Sequence, residues 1–257
     1  MLGAICGDVI GSYYEHFPVK RTDFDLFPDD ADFTDDTVLT CAVAEWLMDD
    51  AEALAPYLHR YYAAYPDAGY GGFFRHWAFC EKTEPYNSWG NGGAMRVSPV
   101  GWVARDEQHA LDLAKRSADA THNHPDGVRG AQAVAVGIFL ARQGAAIDDI
   151  RKAIESKFDY DCTTPLEDIR PEYGFDVSAS GSVPQSIRAF IESHDYESAV
   201  RNAISLGGDS DTMACIAGSI AEAAYGGVPK SIERKTMELL DDRIVSVIER
   251  FYGRYGA

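Results

Sequence analysis

The sequence predicts an all-α fold, and three observations carry that prediction. No stretch shows a sustained period-two alternation of β-branched residues, whereas apolar side chains recur at helical spacing in roughly a dozen segments. Two of those segments open on clustered acids and hydroxyls, Thr34-Asp35-Asp36-Thr37 and Asp209-Ser210-Asp211-Thr212, residue types that head helices. No Pro/Gly/Ser-rich or charged linker interrupts the 257 residues, so one compact domain over 1–257 is expected.

Residues 2 to 14 carry small and apolar side chains at helical spacing, with Gly3, Gly7 and Gly11 four apart. Such a smooth stripe lets another backbone approach closely, so this helix is expected to be central and buried. Asp8 lies on it as a partner for a buried N–H, with Glu15 just past its end. His16 to Asp32 reads as an ordered loop. Val38, Leu39, Ala42, Val43, Trp46 and Leu47 then predict a helix ending near Asp49-Asp50, and a second runs through Leu58 and stops before Pro66. After the turn Ala68 to Gly72, a short aromatic helix covers Phe73 to Phe79. Trp77 and, at the far end of the chain, Tyr255 read as surface aromatics.

Helices are predicted near Ala94, over Asp106 to Ala118 and over Val128 to Arg142, with Pro125 as a first-turn residue. Between them Thr121-His122-Asn123-His124 offers one pocket histidine and one solvated turn histidine. No Cys or further His lies at zinc-ligand spacing. A helix over 147 to 157 precedes an irregular segment, 158 to 182, that suits a lid or specificity loop. Helices from Pro184 to Glu192 and Tyr196 to Ser205 deliver the chain to the second acidic cluster and its helix, which runs to Tyr225. Lys230 to Leu240 and Arg243 to Tyr252 close the chain as amphipathic helices.

A single residue caps a helix, so the extra carboxylates of the two clusters have another use. Close enough to repel one another, they call for a cation. Asp and Thr are hard oxygen ligands suited to Mg²⁺ or Mn²⁺, and the clusters with Glu15 are expected to converge on a binuclear site in a central cleft. The second informative stretch is Tyr86-Asn87-Ser88-Trp89-Gly90-Asn91-Gly92-Gly93-Ala94-Met95-Arg96. Its glycines allow backbone N–H groups to cradle an anion at a helix start, and Arg96 on the first helical turn suits a phosphate. It lacks the Gly-Lys of a Walker loop.

The formal net charge of −18 argues against nucleic acid or an anionic membrane as partner. Five widely spaced Cys without a Cys-x-x-Cys pair suggest reduced thiols in the cytosol. No apolar run approaches the ~20 residues of a membrane span, and no basic segment precedes the opening apolar run, so a cytoplasmic protein is expected.

Taken together, Gly3-Ala4-x-x-Gly7-Asp8-x-x-Gly11 with Glu15, Thr34-Asp35-Asp36-Thr37, Gly90 to Arg96, Thr121-His122 and Gly207-Gly208-Asp209-Ser210-Asp211-Thr212 resemble the ADP-ribosylglycohydrolase family, in its order and over nearly the whole chain. Asn123-His124-Pro125 resembles its bacterial branch, the dinitrogenase reductase-activating glycohydrolase type. The resemblance implies two Mg²⁺ ions held by Thr34, Asp35, Asp36, Asp209, Asp211 and Thr212, with Glu15 assisting catalysis. It implies that Tyr86 to Gly93 wraps the diphosphate and proximal ribose of ADP-ribose and that His122 contacts the ligand. Glu222, where some relatives carry a small residue, is placed to reach a neighbouring helix.

The expected reaction is hydrolysis of the bond between ADP-ribose and an acceptor, either a protein side chain such as arginine or serine or a small ADP-ribosyl compound. Glu15, Asp35 or Asp36 would steer or deprotonate the water. Two other readings are an ADP-ribose-binding pseudoenzyme and another all-α metal enzyme. The first would be marked by loss of an acidic ligand, and none is missing. A terpene synthase needs aspartates repeated at i and i+4 along one helix, but Val38 and Leu39 follow Asp36-Thr37, and the sole His-Asp pair, His194-Asp195, reads as a turn and cap.

Overall fold

The computed structural model describes residues 1–256, which form fifteen helices and no strand. In order they are α1 Leu2–His16, α2 Asp35–Met48, α3 Ala55–Ala64, α4 Gly72–Phe79, α5 Gly92–Met95, α6 Ser98–Val103, α7 Glu107–Asp119 and α8 Pro125–Arg142. There follow α9 Ile147–Phe158, α10 Leu166–Ile169, α11 Ala179–Ile191, α12 Tyr196–Ile204, α13 Ser210–Ala224, α14 Lys230–Met237 and α15 Asp242–Tyr255. No helix among the described residues is long and apolar enough to cross a membrane.

The glycine stripe sets the architecture. A Cβ at Gly3 would lie 2.4 Å from Gly218 O, one at Gly7 2.2 Å from Ala214 O, and one at Gly11 2.5 Å from Asp211 Cα. As the number rises along α1 it falls along α13, so the two helices run antiparallel with their backbones touching. That register carries the last turn of α1, with Glu15, to the first turn of α13, with Asp211. Both helices are buried over most of their length, and Tyr196 Oη of α12 donates to Gly3 O at 2.7 Å. Gly7→Ala is expected to force the pair apart at a cost of about 3 kcal/mol or more, seen as a melting temperature lower by roughly 6–12 °C. Gly253→Ala on α15, where a Cβ meets nothing within 4 Å, is the control and should leave stability unchanged or slightly raised.

Asp8 joins the second acidic helix to this pair. Its Oδ2 accepts from the N–H of Thr34 and of Thr37, each at 3.0 Å, and its Oδ1 accepts from Thr34 Oγ1 at 2.6 Å. Thr34, the N-cap of α2, accepts from Asp36 N. The donors at the head of α2 are thus served by Asp8 and Thr34, as expected for Asp8, and the side chains of Asp35 and Asp36 remain uncommitted to capping. The largely buried α8 supports α5, α6, α7 and α11. At the opposite end of α13, Glu222 accepts from the Met1 ammonium at 2.6 Å and from Gly3 N at 2.8 Å. It therefore serves α1 rather than the acidic clusters.

Several boundaries differ from the sequence expectation. Glu15 lies inside the last turn of α1 rather than past it. α5 starts at Gly92 and is four residues long, so Arg96 follows it instead of sitting on a first turn. The segment 158 to 182 contains α10 and the start of α11. Ser178 caps that start by accepting from Gly181 N, and Pro184 sits inside the helix at the cost of one backbone bond. Trp77 is buried, its Nε1 donating to Glu84 O at 2.9 Å, because α4 is amphipathic and turns its Trp77 face inward.

Candidate active site

The first turns of α2 and α13, the last turn of α1 and the loop before α5 surround one cavity of about 490 Å³, within the range of small-molecule sites. Glu15, Thr34, Asp35, Asp36, Asp209, Asp211 and Thr212 line one wall, and Tyr86, Asn87, Ser88, Trp89, Gly90, Asn91, Gly92, Met95, Arg96 and His122 line the other. Every residue expected to bind metal or assist catalysis is therefore in one place, although they come from opposite ends of the chain. Gly93 is the exception among the expected ligand-binding residues. It stands behind His122, where its Cβ would lie 3.2 Å from His122 Cβ, and it admits the ring rather than lining the cavity.

On the acidic wall two groups can each hold a cation. Asp8, Asp36 and Asp211 offer oxygens within 4.8 Å of one another, as do Glu15, Asp209 and Asp211. Asp211 belongs to both. Asp8 is the weaker ligand of its group because Thr34 and Thr37 already donate to both its oxygens. Asp36 is the stronger, since its Oδ1 is buried with no partner while its Oδ2 accepts from Thr212 Oγ1 at 3.2 Å. A buried carboxylate oxygen left without a donor is costly unless a cation or water meets it. Asp209 occupies the N-cap position of α13 yet makes no capping bond. Its Oδ2 instead accepts from Asn91 Nδ2 at 2.7 Å, and Ser182 Oγ holds that amide from its other side at 3.2 Å. Asn91 thus ties the loop wall to the acidic wall.

The electrostatics agree with a cation site. Burial first and the Asp211 charge second push Asp8 and Glu15 each up to about 7. The same two causes, in the same order, hold Asp35, Asp36 and Asp209 well above the usual carboxylate range. Five carboxyl groups raised by burial and by the Asp211 charge form a cluster whose repulsion a bound cation would relieve. An all-oxygen donor set of Asp, Glu and Thr fits a hard divalent ion.

The loop wall is tied down by its own backbone. Ser88 N donates to Thr121 O at 3.2 Å, Gly90 N to Ser88 Oγ at 3.2 Å, and Asn91 N to Val177 O at 2.9 Å. These bonds narrow the expected anion cradle to the remaining N–H groups of the loop. Ala179 N closes a bridge to Trp89 O, which fastens the segment after α10 to the loop and brings Phe175 and Val177 into the cavity wall. Arg96 is fully buried, its Nη2 donating to Ser117 O at 2.7 Å and Thr121 Oγ1 at 2.9 Å. Its Nε and Nη1 have no partner.

The model of one protein family, described as ADP-ribosylglycohydrolase, matches residues 1–257. The chain belongs to the ADP-ribosylglycohydrolase family. Its members are ADP-ribosyl hydrolases acting on glycosidic bonds. Among curated relatives, the ADP-ribosylhydrolase ARH3 of Homo sapiens is 28% identical over an alignment that covers 90% of this chain and 86% of the relative. The ADP-ribosylarginine hydrolase Tri1 of Pseudomonas putida (strain GB-1) is 23% identical and covers 89% of this chain and 71% of its own. A solved structure titled ADP-ribosylglycohydrolase-related protein complex superposes with a TM-score of 0.75 at 23% identity, over 100% of this chain and 97% of the other, a likeness of fold.

For this ADP-ribosylglycohydrolase chain the sequence missed part of the cavity. Gly69, Gly71, Gly72 and Phe73, read only as a turn and a helix start, line it beside Asp35. The density of glycines there was the available signal, since a Cβ at Gly69 would stand 3.6 Å from Asp35 Oδ1. Of the two histidines, His122 reaches the cavity while His124 caps α8.

Proposed function

We propose that this chain is a divalent-metal-dependent hydrolase that separates ADP-ribose from an acceptor, with two Mg²⁺ ions, or Mn²⁺, on the acidic wall. Asp36, Asp209, Asp211, Thr212, Thr34 and Asp35 would hold the ions. The observation that carries the reading is the convergence of two acid groups, sharing Asp211, on a cavity whose other wall is the Tyr86 to Arg96 loop with His122. Cations bound there would supply positive charge to orient ribose hydroxyls, polarise a water and offset the repulsion between an acidic protein and a diphosphate.

The chain's own residues do the rest. Glu15 is the most open of the acids, with its side chain 28% exposed, and burial holds its carboxyl near neutrality, at about 7. A group so placed can take a proton from the water whose oxygen bonds to the anomeric carbon and deliver it to the departing acceptor atom as the glycosidic bond breaks through an oxocarbenium-like state. Asn91 keeps Asp209 aimed at the cavity, and the loop backbone with His122 offers N–H donors to the ligand's oxygens. Phe73, Trp89 and Phe175 form an exposed apolar rim around the mouth.

Glu15→Gln is expected to lower kcat by about 10²–10⁴-fold while isothermal titration shows ADP-ribose affinity changed by less than about threefold. Equal losses in both would reduce Glu15 to a binding residue. The reading as a whole is tested by ADP-ribose release from an arginine-linked protein, a serine-linked peptide and O-acetyl-ADP-ribose, each with Mg²⁺ and with EDTA. Release from at least one that EDTA abolishes is the expected result, and it names the acceptor; release indifferent to EDTA from all three would remove the metals from the reaction.

A further inference from the structure

Arg96 and His122 line the cavity together, and between them stands Thr121. Arg96 Nη2 donates to Thr121 Oγ1 at 2.9 Å, and Thr121 Oγ1 lies 2.7 Å from His122 Nδ1. All three side chains are buried. Thr121 Oγ1 has a single proton to give, and the guanidinium can only donate to it. The other partners of Thr121 are His122 Nδ1 and the Tyr86 hydroxyl; the phenol can itself donate to Thr121, whereas an unprotonated imidazole nitrogen can only accept, so Nδ1 is the partner that suits the Thr121 proton.

We propose that Arg96 and Thr121 are positioning residues that hold His122 as the neutral tautomer protonated on Nε2, so that the imidazole presents a hydrogen-bond donor to the cavity and not a base. The ring's direction fits. A Cβ at Gly92 would stand 2.9 Å from His122 Nε2, and one at Gly90 3.7 Å from it, so Nε2 faces the glycine loop that walls the cavity. Nε2 has no partner among the described residues, which leaves its N–H for an oxygen of a bound ligand. A neutral imidazole carries its negative end at the unprotonated nitrogen, and this arrangement turns that end towards the Arg96 side. Burial, and after it the Arg96 charge, hold the His122 pKa well below its ordinary value, in agreement with a permanently neutral ring.

The geometry also gives Arg96 a purpose that direct contact with a phosphate does not. Nη2, the one nitrogen with partners, is directed to Ser117 O and Thr121 Oγ1, behind the histidine. On this reading Arg96, through Nη2, acts on the ligand by way of Thr121 and His122. The part played by the ligand rests on the function proposed above, whereas the tautomer is a property of the free protein.

The test is a long-range ¹H–¹⁵N correlation spectrum of histidine-labelled protein at neutral pH, with the His122 signals assigned from a His122→Asn variant. The expected pattern is a protonated Nε2 and an unprotonated Nδ1. Thr121→Val should weaken ADP-ribose binding by about tenfold, the order of one lost hydrogen bond, with kcat changed much less, and Thr121→Ser should restore it. A protonated Nδ1 in the wild type, or a folded Thr121→Val variant that binds ADP-ribose as the wild type does, overturns the proposal. If Thr121→Val fails to fold, the wild-type spectrum and the Thr121→Ser spectrum decide. A wild type that shows the expected tautomer but binds no ADP-ribose sinks the substrate reading and leaves the tautomer assignment supported.

Discussion

Asp211→Asn is expected to abolish hydrolysis, by about a thousandfold or more in kcat/KM, and at the same time to raise the melting temperature of the metal-free protein. Asp211 is the one carboxylate common to both acid groups, so neutralising it removes a ligand from each. Its charge is also the second cause, after burial, of the raised pKa values of Asp8, Glu15, Asp35, Asp36 and Asp209. Without a cation that charge only repels its neighbours, and an amide of the same shape relieves the repulsion. The substituted amide keeps an oxygen for the Thr212 N–H that Asp211 Oδ1 now accepts at 2.8 Å. Thermal melts with and without Mg²⁺ check both halves. Mg²⁺ should raise the melting temperature of the wild type and leave the variant's unchanged. A metal-free variant that melts below the metal-free wild type would mean that the Asp211 charge is compensated within the protein. Loss of function with gain of stability is the pattern of a site held against its own electrostatics.

Metal-free protein is expected to become more stable as pH falls from about 8 to about 5, opposite to the acid sensitivity of most folded proteins. Asp8 and Glu15 are raised from 3.8 and 4.5 to about 7 in the folded state. Between the unfolded and folded pKa values the native protein binds more protons than the unfolded chain. Stability therefore falls as pH rises through that window, and the contribution of these two groups levels off above about 7. Asp35, Asp36 and Asp209 shift the same way and add to the effect. Urea titrations at several pH values, in EDTA, read it as a midpoint that moves to higher denaturant on acidification. Saturating Mg²⁺ should reverse the slope, because cation binding requires the deprotonated acids and stabilises by mass action. A metal-free midpoint that rises with pH would contradict the clustering of these carboxylates.

Much of this is legible without any coordinate. Helical periodicity, with two Asp-rich helix heads, foretells an all-helical protein, and the surplus of carboxylates over what capping needs foretells a cation site. The structure separates those two uses: Asp8 and Thr34 satisfy the head of α2, and Asp209 makes no capping bond. The boundaries that moved did so where a local signal met a stronger one. Pro184 marks a helix start in sequence, yet Ser178 begins α11 a turn and a half earlier, because its side chain and the bridge to the Gly90 loop fix the backbone there. In sequence Arg96 shows its charge and not its burial. The bonds from Nη2 to Ser117 O and Thr121 Oγ1 depend on α7 lying behind the loop.

By itself the sequence determined the helices, the hard-oxygen character of the acidic clusters, the glycine-rich loop and the family, since each is a matter of residue type and near-neighbour spacing. Only the tertiary structure decided which acids meet. The antiparallel register of α1 against α13 brings Glu15 to Asp209 and Asp211 across about two hundred residues of chain, and it is set by contacts of Gly3, Gly7 and Gly11 with the backbone of α13. A glycine shows in sequence that something approaches closely; what approaches, and in which direction, is a property of the packed pair.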